Sequence, residues 1–488
     1  MHAVSERKGN ADMRFGPRIS RRCVLGGTIS VLALGNPLRT QSAAVHPFPA
    51  GFVWGASTSS YQIEGAVDED GRGKSIWDIF AHTPGKIKHG DTGDIACDHY
   101  HRWHEDVEFV SRGGFDAYRF STSWPRILPM GNGAIEQRGL DFYDRLVDGL
   151  IARGIAPWLC LYHWDLPQAL QDQGGWLNRD IVQKFADYGR VVARRLGDRV
   201  KHWAMLNEPN VHALQGHGMG AHAPGLTGLP NMLAAVHHQN LAQGVALQTL
   251  RAEHSDLILG TVLSLQPARP SSDRNEDHRA AERFDAMWNG ACLDPLLRGS
   301  YPTLVAADFA PLIMRGDLDT AHQRVDYLGV NYYAPMYIAH APQSLLGAWF
   351  GARPPSMPST AMGWPIDPTG LTEGLIRLRD HYGNPDVYVT ENGACFSDSL
   401  ATEGTVRDVD RIAYLRDHLA AVREAITAGV KLRGYFVWSL LDNFEWEEGY
   451  SRRFGVIYVD FKTLKRTPKA SYQWLEKFIK ANSHELKR

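Results

Sequence analysis

From Phe48 to about Phe478, short apolar runs rich in β-prone residues alternate with longer amphipathic stretches. Eight of the short runs read as strands: Val53–Thr58, Ala117–Ser121, Ala156–Tyr162, His202–Leu206, Leu257–Leu263, Tyr327–Asn331, Val387–Thr390 and Gly434–Ser439. Between several of them the apolar positions recur at helical spacing, over Gly139–Arg153, Ile181–Leu196, Leu229–His254, Thr369–His381 and Asp408–Ala428. Strands alternating with helices argue for a parallel α/β sheet, and eight strands with helical crossovers predict a (β/α)8 barrel. No linker, low-complexity tract or fixed-period repeat interrupts the pattern, so residues 45–488 are read as one α/β barrel domain. Two long connections, 265–280 and 334–368, leave the C-terminal side of the strands; the second holds seven prolines and little periodicity. Long loops there shape the mouth of a barrel.

Polar and aromatic residues gather at the C-terminal ends of the predicted strands. Gln62 and Glu64 follow the first strand, and Arg119 lies in the second. His163-Trp164-Asp165 ends the third, Asn207-Glu208 the fourth, Asn331-Tyr332-Tyr333 the sixth and Glu391-Asn392 the seventh. Trp438 closes the eighth, with Glu445-Trp446 just beyond. A barrel brings these ends to one rim, where barrel active sites lie. The two carboxylates Glu208 and Glu391 each end an apolar run and are followed at once by Pro209 or, one residue on, Gly393. Glycosidic bond cleavage needs two such groups: one protonates the departing oxygen, and the other attacks the sugar carbon or activates water.

Composition removes some alternatives. Net charge is −2, so no global field draws the protein to nucleic acid or anionic lipid. The cysteines, Cys23, Cys97, Cys160, Cys292 and Cys395, are odd in number and show no C-x-x-C or Cys/His ligand spacing, which argues against a disulfide framework or a structural zinc. Residues 1–44 read differently from the rest. A basic stretch ends in Arg21-Arg22, a weakly hydrophobic run follows from Val24 to Gly35, and small residues Ser42-Ala43-Ala44 come after it. These are the parts of an export signal, and the paired arginines resemble the twin-arginine type. The expected cleavage site is near Ala44, with Met13 an alternative start. The expected location is periplasmic or secreted, a cytoplasmic extension being the other reading. The apolar run is too short to span a membrane, so no membrane association is expected after cleavage.

The ordered motifs resemble those of the glycoside hydrolase family 1 β-glucosidases across residues 48–478. They are Phe52-Val53-Trp54-Gly55-Ala56-Ser57-Thr58-Ser59-Ser60-Tyr61-Gln62-Ile63-Glu64-Gly65, Tyr118-Arg119-Phe120-Ser121, Tyr162-His163-Trp164-Asp165-Leu166-Pro167, Asn207-Glu208-Pro209, Gly329-Val330-Asn331-Tyr332-Tyr333, Thr390-Glu391-Asn392-Gly393 and Trp438-Ser439-Leu440-Leu441-Asp442-Asn443-Phe444-Glu445-Trp446. The resemblance implies a retaining β-glucosidase acting on a small β-glucoside or a short β-gluco-oligosaccharide, with Glu391 as nucleophile and Glu208 as acid/base. It implies that Arg119, Asn331 and Tyr333 support the nucleophile. It implies that Gln62, His163, Asn207, Tyr333, Trp438, Glu445 and Trp446 read the sugar. No cofactor or metal is implied, and His163 has no ligand-spaced partner in the sequence. Glu445, where enzymes acting on 6-phosphorylated sugars replace the acid, favours a neutral glycone. Ser264 departs from an Asn common among relatives, which leaves the choice among glucose, galactose, fucose and xylose open. A broader glycone range and a transglycosylase on the same site remain alternatives, as does a sugar-binding protein without catalysis.

Overall fold

The computed structural model describes residues 48–483. The export reading of residues 1–44 falls outside them. Eight parallel strands close into a barrel: Val53–Ser57, Ala117–Ser121, Ala156–Tyr162, His202–Asn207, Ile258–Ser264, Tyr327–Asn331, Val387–Asn392 and Leu432–Trp438. Each pairs with the next in sequence, and the eighth returns to the first through Val53↔Gly434 to Ser57↔Trp438. All eight predicted strands are present. The predicted helices are also there, as Gln137–Ile151, Ile181–Leu196, Leu229–Glu253, Pro368–His381 and Val409–Thr427.

The barrel interior is filled in layers. Inward residues recur every second position along a strand, so Trp158, Tyr327 and Phe436 meet with Ala117 in an aromatic plug. The rings pack edge-on or tilted, with the Trp158 centroid 5.0 Å from Phe436 and 5.5 Å from Tyr327. Gly55 makes room for this plug, since a Cβ there would lie 2.1 Å from the Phe436 ring. Two residues further along their strands come Cys160 and, beside it, Ala204 and Val262, a layer of small groups. Arg119 stands two residues beyond Ala117 on the same inward face and is buried. Beyond the aromatic plug the interior therefore holds small groups together with Arg119, whose guanidinium reaches Glu391.

The ladder is irregular where the carboxylates leave it, and also at the start of the seventh strand, between Val387 and Tyr388. Pairing between the fourth and fifth strands shifts register between Ala204 and Asn207. Pairing of the seventh strand with its neighbours shifts between Val389 and Glu391 or Asn392. Such irregularities re-aim a side chain at a barrel rim.

The long connections carry structure that periodicity did not show. Ala268–Pro270, Met336–His340 and Ala348–Phe350 form a small three-stranded sheet, and Asn275–Asp285 is a helix. The connections 265–280 and 334–368 thus pair with each other instead of standing as separate loops. The described cysteines, Cys97, Cys160, Cys292 and Cys395, are buried thiols.

Candidate active site

Strand ends set the positions of the two carboxylates. Glu208 follows the fourth strand with φ 45° and stands just before the short helix Pro209–Ala213. A non-glycine residue in the left-handed region is strained, and such strain concentrates at functional positions. Its amide still donates to the Val262 carbonyl at 2.8 Å, so the turn is anchored to the fifth strand. Glu391 lies within the seventh strand, and its carbonyl accepts from the Tyr332 amide at 3.0 Å. Gly393, two residues on, permits the close approach of the eighth strand: a Cβ there would lie 1.7 Å from the Trp438 carbonyl oxygen.

The surroundings of the two groups differ. Arg119 Nη1 donates to Glu391 Oε1 at 2.7 Å, and the Tyr333 hydroxyl donates to Oε2 at 2.7 Å. Both Glu391 and Arg119 are buried. Burial raises the Glu391 carboxyl, and the Arg119 guanidinium, the Tyr333 hydroxyl and Asn331 act against that rise. Among the described residues Glu208 makes no ion pair, and it is pushed up to about 8, first by burial and then by the negative charge of Glu391. Glu391 therefore ionises before Glu208. Burial, and then Glu391, hold the Tyr333 phenol well above its ordinary range, so it remains a donor.

Asn207 is the hub behind the pair. Its Oδ1 accepts from Arg119 Nη2 at 2.6 Å and from Asn331 Nδ2 at 3.1 Å. Its Nδ2 lies 3.0 Å from His163 Nε2, and Asn331 is itself held by Thr390 Oγ1 at 2.8 Å. Burial, and then Arg119, push His163 far below the usual imidazole range, so the ring is neutral. As an acceptor at Nε2 it carries its proton on Nδ1, which is buried and has no hydrogen-bond partner among the described residues.

A cavity of about 640 Å³ opens onto this arrangement. Of the residues singled out in the sequence, His163, Glu208, Tyr333, Glu391, Trp438, Glu445 and Trp446 line it. Gln62, Arg119, Asn207 and Asn331 stand behind that lining and hold it. Gln62 Nε2 donates to Phe444 O at 2.9 Å and Asn443 Oδ1 at 3.1 Å, and lies 3.4 Å from Glu445 Oε2. Burial, followed by Glu447, Glu391 and Glu208, drives the Glu445 carboxyl well above its ordinary range. Trp164 also lines the cavity, its indole tied to the Asn207 carbonyl at 2.8 Å. Asp165 and Asn443 support from behind, through Ser60 and Gln62 respectively.

Glu64, grouped with Gln62 at the rim by its sequence position, faces elsewhere. Arg126 Nε at 2.9 Å and the Tyr143 hydroxyl at 2.6 Å satisfy its carboxylate, which makes it a packing residue. Both partners stand on the helices after the second strand, which spacing alone does not reveal. Gln266 was missed altogether. Its Oε1 accepts from the Ala334 amide at 3.2 Å, and its Nε2 donates to Ser264 Oγ at 3.1 Å, so it braces the backbone beside Tyr333. Trp288 was missed too: it lines the cavity with its indole fixed on the Ser264 carbonyl at 2.9 Å. Neither carries a local motif. Among the described residues, no group of three or more His, Cys, Asp or Glu could hold a metal ion.

Comparison with known proteins places this geometry. The model of the family described as Glycosyl hydrolase family 1 matches residues 44–484. Beta-glucosidase A of Thermotoga maritima is 47% identical over 446 residues, covering 90% of this chain and 99% of that protein. A 1,4-beta-D-glucan glucohydrolase of Thermotoga neapolitana is 48% identical, over 89% of this chain and 98% of its own length. A bifunctional beta-D-glucosidase/beta-D-fucosidase of Bifidobacterium breve is 45% identical, over 89% and 99%. Among solved structures, the family 1 β-glucosidase from Thermotoga maritima in complex with deoxynojirimycin superimposes with a TM-score of 0.87 at 47% identity, covering 90% of this chain and 100% of that one. With a closed barrel, paired carboxylates at its rim and a family match over nearly the whole described chain, the protein belongs to glycosyl hydrolase family 1.

Proposed function

We propose that the protein is a retaining, exo-acting β-glucosidase in which Glu391 attacks the anomeric carbon and Glu208 acts as acid and then base. The observation that carries this reading is the asymmetry of the pair: only Glu391 has a guanidinium at 2.7 Å, and only Glu208 is pushed up to about 8. Between the two ionisations the first is an anion and the second holds a proton. Glu391 displaces the leaving group while Glu208 protonates the glycosidic oxygen. Forming the glycosyl ester removes the negative charge of Glu391, the second cause of the raised Glu208 pKa. Glu208 then becomes the stronger acid at the point where it must give up its proton and serve as base for water. Retention requires the two carboxyl groups to stand roughly 5–5.5 Å apart.

Names of the relatives favour a glucosyl unit. His163, through its Nδ1–H, and the Glu445 carboxyl, both in the cavity lining, offer hydrogen bonds to its hydroxyls. Trp438 supplies an apolar wall for the C–H face of the ring. Proton NMR of the first-formed sugar tests the mechanism. The β-anomer appearing before mutarotation is the expected result, and initial α-glucose overturns it.

Export through a twin-arginine signal in residues 1–44 belongs to the same proposal. The family match begins at residue 44, where cleavage near Ala44 would leave the hydrolase intact. Replacing Arg21 and Arg22 together by Lys is expected to hold the enzyme in the cytoplasm of a bacterial host. Unchanged periplasmic activity overturns this assignment.

A further inference from the structure

The cavity has two chemically distinct parts. Strand ends supply one, with Glu208, Glu391, Glu445 and His163. The connecting segments supply the other, and its lining is dominated by Trp288, Met336, Phe350, Met362 and Trp364. Its volume of about 640 Å³ falls in the range of roughly 300–1,000 Å³ typical of sites for drug-sized ligands, so it has room beyond a single hexose. The Trp364 ring lies 5.5 Å from Tyr333, the residue that holds Glu391, so the aromatic wall begins one side chain away from that carboxylate. Phe350 is 43% exposed although it lines the cavity. Of the polar groups on this side, Tyr337 leans on Met357 and Arg269. A second glucose would find few fixed hydrogen-bond partners on such a surface, whereas a flat aromatic group would find several rings.

One charge breaks the apolar lining. Arg353, three residues after Phe350, is the only Arg or Lys among the residues that line the cavity. Its guanidinium donates to the Met357 carbonyl and, at 3.2 Å, to Ser359 Oγ. Among the described residues it meets no carboxylate, while Arg269 on the adjoining small sheet is met by both Asp367 and Glu373. A guanidinium has five N–H donors, and Arg353 spends two of them on protein. The carboxylates in the cavity do not oppose it from this side. Glu208, Glu391 and Glu445 belong to the strand ends, and Glu447 accepts from His222 at 2.5 Å.

We infer that the aglycone site selects β-glucosides of aromatic alcohols that carry an anionic group, an aryl carboxylate, with the ring against Trp364, Phe350 and Trp288 and the carboxylate on Arg353. This rests on the β-glucosidase reading and names its substrate class. The Glu391 anion at the sugar end would repel a carboxylate, which orients the aglycone with its charge toward the connecting segments.

The test compares the β-glucoside of 4-hydroxycinnamic acid with that of its methyl ester, on the full chain and on Arg353→Gln and Arg353→Lys. The two compounds differ in leaving-group acidity, so the quantity read is the acid-to-ester ratio of kcat/KM in the variant relative to the same ratio in the wild type. In Arg353→Gln that ratio is expected to fall about tenfold, the scale of one charge-assisted hydrogen bond. In Arg353→Lys it should recover most of that loss. An unchanged ratio in Arg353→Gln overturns the inference, as does cellobiose outrunning the aryl acid in the wild type. 4-Nitrophenyl β-glucoside serves as the separate check. Its turnover with no preference for the acid sinks the aglycone assignment alone, and failure on every substrate sinks the glucosidase reading with it.

Discussion

The ends of the fourth and seventh barrel strands carry the same functional group in opposite electrostatic settings. Both carboxylates are buried and both line one cavity. At the seventh strand Arg119 and Tyr333 each donate to Glu391 at 2.7 Å. At the fourth, Glu208 has no ion-pair partner among the described residues and feels its neighbour as a like charge. Burial alone would raise both carboxyls; the single guanidinium orders them. A buried ion pair is a weak source of folding stability, because desolvation offsets the attraction. Arg119 is better understood as setting which carboxyl ionises, and Asn207, on its other arm at 2.6 Å, ties that choice to the sugar-facing wall.

The most severe test of this comparison is Glu391→Gln, which keeps shape and removes the anion. Loss of activity on the order of 10⁶ in kcat is expected, the scale of deleting a catalytic nucleophile. Near-normal turnover of 4-nitrophenyl β-glucoside by that variant would end the assignment. Glu208→Gln should cost roughly 10²–10⁴-fold, the range for general acid–base catalysis, and the loss should shrink as the leaving group becomes more acidic. Wild-type kcat/KM should fall as pH rises through about 8, where Glu208 loses its proton, and the Glu208→Gln profile should lack that limb. A limb that survives in the variant would mean that another group titrates there.

Smaller changes probe the other side of the pair. Arg119→Gln removes the main charge acting against the burial-driven rise of Glu391. The acidic limb of kcat/KM, where Glu391 gains a proton as pH falls, should therefore move to higher pH. A limb that stays in place would show that the guanidinium does not set the order. Because this variant leaves a buried carboxylate uncompensated, a destabilisation of about 3–5 kcal/mol is also expected in denaturant titration. Tyr333→Phe removes one hydrogen bond to the same carboxylate, at a cost of about 1.5–3 kcal/mol in transition-state stabilisation, read from kcat/KM. Its acidic limb should move in the same direction as that of Arg119→Gln, and by less.

Much of the scaffold was legible along the chain. The eight strand runs appear within a few residues of their predicted limits, because a strand enclosed on both sides must be apolar throughout and so stands out from the amphipathic helices. The residues near the cavity were legible where they sit in strand-end motifs, as with His163, Glu208, Tyr333, Glu391, Trp438 and Glu445. Gln266, Trp288 and Arg353 were not, because they stand in connections whose pairing into a small sheet depends on strands brought together from residues 268, 336 and 348. Glu64 and Gln62 are two residues apart on a short helical turn, and that turn sends one to Arg126 and the other to the loop that carries Glu445.

The amino-acid order by itself determined the barrel and brought Glu208, Glu391 and the strand-end aromatics to its rim, since hydrophobic periodicity records which positions are buried and where each strand ends. It did not determine how those residues divide their tasks. That required distances between groups far apart in the chain, such as Arg119 and Glu391, 272 positions apart. Charge interactions and desolvation depend on those distances and on what excludes water, so only the closed barrel decided which carboxyl is the anion and which holds the proton.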